Sequence, residues 1–211
     1  LGRDTTTAAG DDGIDWQLTK VNVDAKIVAI AAGQNHSVLL DDEGNVWTAG
    51  DNSSGQLGRD NGGKSKDITY AKATLPDGVK AKAIAAGYEH TILIDTDGKA
   101  WTVGNNAGGQ LCRASGSSSE KYTFAKVNEA NLEGVEFTAA AAGAYHTILL
   151  DTTGNVWTAG TNAYGVTGRP ISQYDAVLAK AYSVDGSHPK ITAIAAGQYH
   201  NVLLDETGKI W

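Results

Sequence analysis

The sequence predicts an all-β protein built from four copies of one β-propeller blade, and three observations support this. Glycines interrupt the chain too often for long helices, and β-branched residues fill the runs between them. A glycine-x-x-histidine motif recurs at intervals of 54, 56 and 54 residues, and a tryptophan recurs at the same intervals. A unit of about 54 residues has room for the four short antiparallel strands of one propeller blade.

The first complete unit shows each predicted strand in turn. Residues 27–32 are an apolar run that leads to a glycine, and residues 37–40 form a second run directly after it. The aspartate- and glycine-containing cluster 41–45 is typical of a hairpin turn, so residues 46–49 are predicted as the returning strand. A fourth extended stretch covers 68–73, after a polar loop. The strands alternate imperfectly, as expected of strands buried on both faces.

Three residue types recur at fixed places in the unit, and we interpret them as structural. The imidazoles are expected to satisfy polar groups beside a glycine turn, and the indoles to pack the blades together. A ring of four imidazoles that holds zinc or copper is the alternative, but we predict no metal, no cofactor and no catalytic residue. The positions are Gly33, Gly87, Gly143 and Gly197, His36, His90, His146 and His200, and Trp47, Trp101, Trp157 and Trp211.

The loop after each tryptophan has a signature of its own. The pattern W-T-x-G-x-N-x-x-G-Q-L-G-R begins at Trp47, and variants of it begin at Trp101 and Trp157. Together with A-A-G-x-x-H-[ST]-x-L-[LI]-D, it resembles the repeat of the regulator of chromosome condensation (RCC1) family. The second copy departs at Cys112 and the third at 166–167. The resemblance implies an RCC1-like β-propeller, usually of seven blades.

We treat 1–211 as one propeller segment. Its units cover approximately 1–45 (partial), 46–99, 100–155 and 156–209, and 210–211 starts a further unit. Four units are fewer than the usual seven, so the segment is expected to be part of a larger ring. A part-ring completed by another chain and a four-bladed ring are the alternatives. An open stack would expose two blade edges, which favours self-association.

Composition narrows the possible partners and compartments. The chain has 17 Lys and Arg against 24 Asp and Glu, a net charge of −7 that disfavours nucleic acid. No apolar run reaches the ~20 residues that a membrane-spanning helix needs. The single cysteine excludes an internal disulfide. A composition rich in Thr, Ala and Gly and without Met favours an extracellular or cell-surface location, with a cytoplasmic or nuclear one as the alternative.

Binding residues are expected on the loops at the two rims of the propeller. The stretches 60–67, 114–121, 128–134 and 183–189 vary between units, so specificity is predicted there. Recurring arginines follow each tryptophan loop, and they either hydrogen-bond to loop carbonyls or form a ring of cations that faces an acidic partner. Trp16 is out of register and is a further interface candidate. The arginines are Arg3, Arg59, Arg113 and Arg169.

The sequence contains no G-x-S-x-G elbow, P-loop or H-E-x-x-H motif, so we predict that the protein is not an enzyme. The leading hypothesis is a scaffold that binds a protein partner, of unspecified identity, through rim loops. The resemblance implies an alternative, a guanine-nucleotide exchange factor for a small GTPase, which is the activity of the founding member on Ran. An extracellular structural or glycan-binding module is the third hypothesis.

Overall fold

The computed structural model describes residues 20–113, 122–130, 132–170, 174–181 and 188–211, and these residues form strands, turns and loops without a helix. The all-β prediction is confirmed. The strands are β1 (Ile27–Ala32), β2 (His36–Asp41), β3 (Val46–Asp51), β4 (Lys66–Lys72), β5 (Ala81–Ala86), β6 (His90–Asp95), β7 (Ala100–Gly104), β8 (Ala125–Lys126), β9 (Phe137–Ala142), β10 (His146–Asp151), β11 (Val156–Thr161), β12 (Tyr174–Lys180), β13 (Ile191–Ala196) and β14 (Asn201–Asp205).

Consecutive strands pair antiparallel and form four sheets, which we call blades 1 to 4. Blade 1 contains β1 to β4, blade 2 contains β5 to β8, blade 3 contains β9 to β12, and blade 4 contains β13 and β14. The blades begin at Ile27, Ala81, Phe137 and Ile191. A unit counted from one tryptophan to the next therefore joins the outer half of one blade to the inner half of the following blade.

The apolar core is divided among the seams between neighbouring blades. In the first seam, Val38 and Leu40 of blade 1 pack with Leu93 and Val103 of blade 2 and with Phe124. Equivalent clusters join blade 2 to blade 3 and blade 3 to blade 4. Because both faces of an interior blade are covered, its central strand is buried along its length, as β6 and β10 are.

An aspartate at the end of each second strand organises the hairpin that follows. Asp41 accepts hydrogen bonds from the indole Nε1 of Trp47 (2.8 Å) and from the backbone N–H groups of Glu43 and Asn45. Burial opposes ionisation of Asp41, but hydrogen bonds from Trp47 and Asn45 outweigh it and hold the pKa of the carboxyl below its usual value. The same indole-to-carboxylate bond joins the pairs Asp95 and Trp101, Asp151 and Trp157, and Asp205 and Trp211.

The outer strand of each complete blade places a lysine over the indole of the third strand. Trp47 pairs with Lys72 in the sheet register, and the ammonium lies 5.2 Å from the ring centroid. The same contact recurs in the next two blades, where the ammonium of Lys126 lies 5.4 Å from the Trp101 ring centroid and that of Lys180 lies 5.3 Å from the Trp157 ring centroid. This cation–π contact accounts for the lysine at the same register position in the outer strands of blades 1 to 3.

The recurring tryptophans are buried to different extents in the different blades. Replacing the more deeply buried ones should therefore cost more stability. As blade-packing residues, the indoles are expected to resemble one another, and Trp101 in particular to be buried. In the structure Trp101 is half-buried, and among the recurring tryptophans only Trp157, at 5% exposed, belongs to the core. Trp157→Ala should therefore lower the free energy of unfolding by about 3–5 kcal/mol, and Trp101→Ala by less. Urea denaturation of the two variants tests this, since both lose the same hydrogen bond and cation–π contact. Equal losses would contradict it.

Cys112 occupies a place where the other tryptophan loops have glycine. Its φ of 57° lies in the left-handed region, like the 63° of Gly58 and Gly168. A Cβ at Gly58 would lie 2.3 Å from the Phe124 ring. The residue that corresponds to Phe124 beside Cys112 is the smaller Leu178, and both belong to the same buried cluster. Burial also raises the pKa of the thiol to about 12, so Cys112 is not an activated nucleophile.

The difference in size between Phe124 and Leu178 predicts what a cysteine would do at position 58. Gly58→Cys should destabilise the protein by about 3 kcal/mol, because left-handed strain and overpacking against Phe124 add. The double variant Gly58→Cys/Phe124→Leu should be more stable than Gly58→Cys, because the smaller leucine removes the overpacking and leaves only the left-handed strain. Gly62→Cys is the control, because Gly62 has φ +75° and no atom within 4 Å of a Cβ. Urea denaturation reports all three, and a double variant no more stable than Gly58→Cys would contradict the explanation.

The outer faces of the first and last blades are exposed. On blade 1, Val28 and Ile30 are 56% and 77% exposed. On blade 4, Val202 is 42% exposed, whereas its counterparts Ile92 and Ile148 are fully buried in the next seam. We call these two surfaces the end faces.

Candidate functional site

The propeller segment has two rims, which differ in the residues that build them. The histidine rim carries the inner G-x-x-H turns and the tryptophan loops, which are joined by backbone bonds such as Asp51 N–H to Asn35 O (2.8 Å). The opposite aspartate rim carries the hairpin turns, and there Ala81 N–H crosses a seam to Gly44 O (3.0 Å). Backbone hydrogen bonds therefore tie neighbouring blades together at the aspartate rim, and a bond from Gln34 N–H to Gly87 O does so at the histidine rim.

A buried histidine crosses each seam at the histidine rim. His36 Nε2 of blade 1 lies 3.0 Å from Thr91 Oγ1 of blade 2, and Thr91 Oγ1 donates to Gln56 O of blade 1 at 2.6 Å. Blade 1 therefore holds the hydroxyl of blade 2 between two of its own groups, an arrangement that we call the seam clip. The second clip joins His90, Thr147 and Gln110 O, and the third joins His146, Asn201 and Val166 O.

The clip determines the protonation of its histidine. The single hydroxyl hydrogen of Thr91 is used on Gln56 O, so Thr91 accepts a hydrogen from Nε2 of His36. Nδ1 then carries no hydrogen, and in both His36 and His90 it is buried without a hydrogen-bond partner. Desolvation lowers the pKa of His36 to about 4, although Asp51 opposes the shift. Desolvation and the neighbouring His36 and His146 lower the pKa of His90 to about 3.

The glycine of each G-x-x-H turn makes room for its own histidine. A Cβ at Gly33 would lie 2.2 Å from His36 Cε1 and 2.4 Å from Gly87 O of the next blade. A Cβ at Gly87 would lie 2.2 Å from His90 Cε1 and 2.5 Å from Gly143 O. The recurring glycine is therefore required by the approach of an imidazole and a neighbouring backbone.

The structure places the predicted arginines within their own blades. Arg59 donates to Thr48 O (3.1 Å) and Thr69 O (3.2 Å) and pairs with Asp67 (2.8 Å). It is 7% exposed, so its guanidinium lies inside the blade. Arg113 and Arg169 donate to the corresponding carbonyls of Thr102 and Thr158. Arg3 and Trp16 lie outside the described residues.

The variable stretches fall on both rims. Residues 60–67 connect β3 to β4 at the histidine rim, and 128–134, described except for residue 131, connect β8 to β9 at the aspartate rim. Residues 114–121, and 183–189 apart from its last two, lie outside the described residues. A further variable element lies in the two middle residues of each G-x-x-H turn. It was not predicted as a binding element, because the residues around these two positions repeat from unit to unit.

An axial cleft of about 240 Å³ opens on the histidine rim, lined by three successive residues from each blade. They are residues 32–34, 86–88, 142–144 and 196–198. A larger cleft of about 690 Å³ lies between blades 3 and 4 and is lined by Gly168 and Trp211 among others. In the first seam, Phe124 of the following blade packs on Gly58, the counterpart of Gly168. The larger cleft therefore lies at the position that Phe124 fills in the first seam.

Within the described part of the chain, no three His, Cys, Asp or Glu side chains form a group that could hold a metal ion. Each of His36, His90 and His146 is instead bonded at its own seam. Among the same residues there is no helix with the length and apolarity needed to cross a bilayer.

Two family models match the chain, both described as the regulator of chromosome condensation (RCC1) repeat. One matches residues 27–56, 81–110 and 137–166, and the other matches 43–94. Together they cover more than half of the 211 residues.

Curated proteins and solved structures agree with these matches. The human regulator of chromosome condensation is 28% identical over 100% of the chain and 52% of its own length. The Arabidopsis thaliana ultraviolet-B receptor UVR8 is 28% identical over 88% of the chain and 40% of its own length. The chain thus spans about half the length of the curated relatives it matches. Human WBSCR16 superimposes with a TM-score of 0.79 at 21% identity, covering 90% of the chain and 49% of that structure. The structure of yeast RCC1 (Prp20) with Kap60 superimposes with a TM-score of 0.73 at 22% identity, and the match covers 90% of the chain and 44% of that structure.

Proposed function

Because the chain belongs to the regulator of chromosome condensation (RCC1) repeat family, we propose that it is a non-enzymatic scaffold that binds a protein partner through the loops of its rims. The observation that carries the proposal is the division of the molecule into a bonded framework and variable rims. Three recurring histidines, His36, His90 and His146, make contacts within the framework, and so do the recurring threonines and arginines of the three tryptophan loops. The loops, by contrast, differ from blade to blade.

Support also comes from a solved relative. The yeast RCC1 structure contains a protein, Kap60, bound to that relative. The tryptophan loops of this chain are held firmly enough to present a partner site. Asn52 donates to Arg59 O and accepts from Leu57 N–H, and Thr48 donates to Leu57 O. Rigid loops of this kind bind with little loss of conformational entropy.

The test is a pull-down with the full chain and with a loop-exchange variant. Replacing residues 60–65 by a glycine–serine loop of equal length should abolish capture of the partner, because the variable loop would carry specificity. Asp67 stays in place, because it pairs with the buried Arg59. Lys26→Ala, on the aspartate rim, is the matched control that should leave capture unchanged. Circular dichroism checks that both fold. A partner that survives exchange of every variable loop would contradict the proposal.

Guanine-nucleotide exchange on a small GTPase is the second candidate, favoured by the full coverage of this chain in the match to the human regulator of chromosome condensation. A nucleotide-release assay with a labelled guanine nucleotide on Ran distinguishes the two functions. The scaffold proposal expects the release rate to stay at its intrinsic value. Acceleration that depends on protein concentration would favour exchange activity instead.

Self-association through the end faces is a further part of the proposal. Ile30 of blade 1 and Val202 of blade 4 occupy positions that are covered in the interior seams. Sedimentation at increasing concentration should show assemblies, and Ile30→Lys or Val202→Lys should reduce them by placing a charge in the contact. A single species of 21.9 kDa at all concentrations would contradict this part.

The cellular location remains a prediction from composition. An extracellular or cell-surface location is the leading hypothesis, and a cytoplasmic or nuclear location is the alternative. Cell fractionation with an antibody against this chain tests it. Recovery from the medium or the cell envelope would support the first location, and recovery from the soluble interior would support the second.

A further inference from the structure

The two middle residues of the G-x-x-H turns differ between the blades, although the residues around them repeat. They lie on the histidine rim at the axial cleft, and the first residue of each pair lines the cleft. Since the framework contacts use the glycine and the histidine, these positions are free to carry specificity. The pairs are Gln34 and Asn35, Tyr88 and Glu89, Ala144 and Tyr145, and Gln198 and Tyr199.

Four tyrosines form two ring pairs on this rim, and we call the four together the tyrosine band. One pair includes Tyr88, which lines the axial cleft, and the other lines the larger cleft between blades 3 and 4. Tyr88 and Tyr145, from neighbouring blades, make an edge-to-face contact with centroids 5.7 Å apart. Tyr164, on the tryptophan loop of blade 3, packs on Tyr199 of blade 4 at 5.2 Å. Exposure of Tyr145, Tyr164 and Tyr199 is 37%, 71% and 44%. Ring faces this exposed add little to the core, so the band presents aromatic surface to solvent.

Two acidic groups lie on the same rim as the tyrosine band. Glu89 directly follows Tyr88, and its carboxylate accepts from Ser54 Oγ (3.2 Å) and Asn105 Nδ2 (2.7 Å). Asp51 lies on the same rim and accepts from Ser53. Within the described part of the chain, neither carboxylate forms an ion pair. The framework supplies hydrogen-bond donors to both but leaves their negative charge uncompensated.

From this juxtaposition we propose that the tyrosine band binds a basic, extended segment of a protein partner, with arginine guanidinium groups stacked on Tyr145, Tyr164 and Tyr199 and attracted by Glu89. The inference rests on the proposed scaffold function and specifies the chemistry of its partner. Guanidinium stacks on aromatic faces and pairs with carboxylates, whereas a neutral sugar carries no charge for the carboxylate to attract. The net charge of −7 acts in the same direction, because it attracts a cationic segment from a distance.

Binding of defined peptides tests the proposal. The probes are a glycine–serine peptide with four arginines and peptides of equal length with lysine or glutamate in their place, titrated at low salt by calorimetry. The intact chain should bind the arginine peptide more tightly than the lysine peptide and should not bind the glutamate peptide. The double variant Tyr164→Ala/Tyr199→Ala should bind the arginine peptide at least about tenfold more weakly, since two stacking contacts are lost.

Two further variants separate stacking and charge from general surface changes. Tyr164→Phe/Tyr199→Phe should keep most of the affinity, because the aromatic faces remain. Glu89→Gln should weaken binding mainly at low salt. Val177→Ala, an exposed apolar residue of β12 in the outer strand of blade 3, is the control and should bind as the unaltered chain does.

Three results would overturn the inference: no affinity for the arginine peptide, equal affinity in the Tyr164→Ala/Tyr199→Ala variant, or binding of a glycan that the same variant abolishes. These outcomes are separable from failure of the scaffold function. A partner that is lost on loop exchange but retained by the tyrosine variant would leave the scaffold function in place and refute the tyrosine band alone.

Discussion

Gly87→Ala is expected to lower the free energy of unfolding by about 3 kcal/mol or more, and urea denaturation will show it as a fall in the midpoint. The added Cβ would lie 2.2 Å from His90 Cε1 and 2.5 Å from Gly143 O. His90 cannot swing away, because it is fully buried and its Nε2 is engaged in the seam clip with Thr147. The backbone of blade 3 would have to move as well, and the clips on both sides of blade 2 would be disturbed.

Gly197→Ala is the matched control for this prediction. The turn is the same, but the three nearest atoms to its Cβ all belong to His200, which is exposed and can rotate. The loss of stability there should be well below that of Gly87→Ala. If both substitutions cost the same, crowding by the neighbouring blade is not the reason for the glycine.

Lowering the pH from about 6.5 toward 4 is expected to destabilise the protein, although ordinary carboxylates are still mostly ionised in that range. In the folded state the pKa of His36 is about 4 and that of His90 about 3, and that of His146 is also lowered by desolvation, although Asn201 opposes it. An unfolded histidine titrates near 6.5. The unfolded state therefore binds more protons from about pH 6.5 downward, and stability falls as the pH falls toward 4. For His36 alone the difference corresponds to about 3 kcal/mol.

The measurement is the free energy of unfolding at several pH values between 7 and 4. His90→Gln should give a smaller slope, because glutamine can still donate to Thr147 but takes up no proton. Val177→Ala, an exposed substitution that changes no titratable group, is the control and should leave the slope as it is. Stability that stays constant over this range, or a slope that His90→Gln does not alter, would refute the prediction.

The strands and the repeat could be predicted from the sequence because they depend on local residue types and on a fixed interval. The seam clip could not, because the interval shows that His36 and Thr91 recur but not that they meet across two blades. The hydroxyl that follows the histidine was visible in the motif, and so was the aspartate six residues before each tryptophan. The partner of the hydroxyl is set by the pairing of blades, whereas the aspartate bonds to the tryptophan of its own hairpin.

Burial of individual residues was harder to predict, because equivalent positions in a repeat have different neighbours. Trp157 is buried and Trp211 is 42% exposed, although both follow the same turn. The tyrosine band was not predicted from the sequence. Tyr145 and Tyr199 occupy variable positions between the repeating glycine and histidine of a turn, and the repeat itself assigns no role to variable positions.

The seam clip has a polarity. The imidazole always comes from the earlier blade and the hydroxyl or amide from the later one, so the first and last blades offer unlike surfaces. Matching one end face with itself does not reproduce a seam, because the clip needs an imidazole from one side and a hydroxyl or amide from the other. Any contact that reproduces a seam must be head to tail, and such a contact either closes into a ring or continues as a filament, according to the angle that each added blade turns.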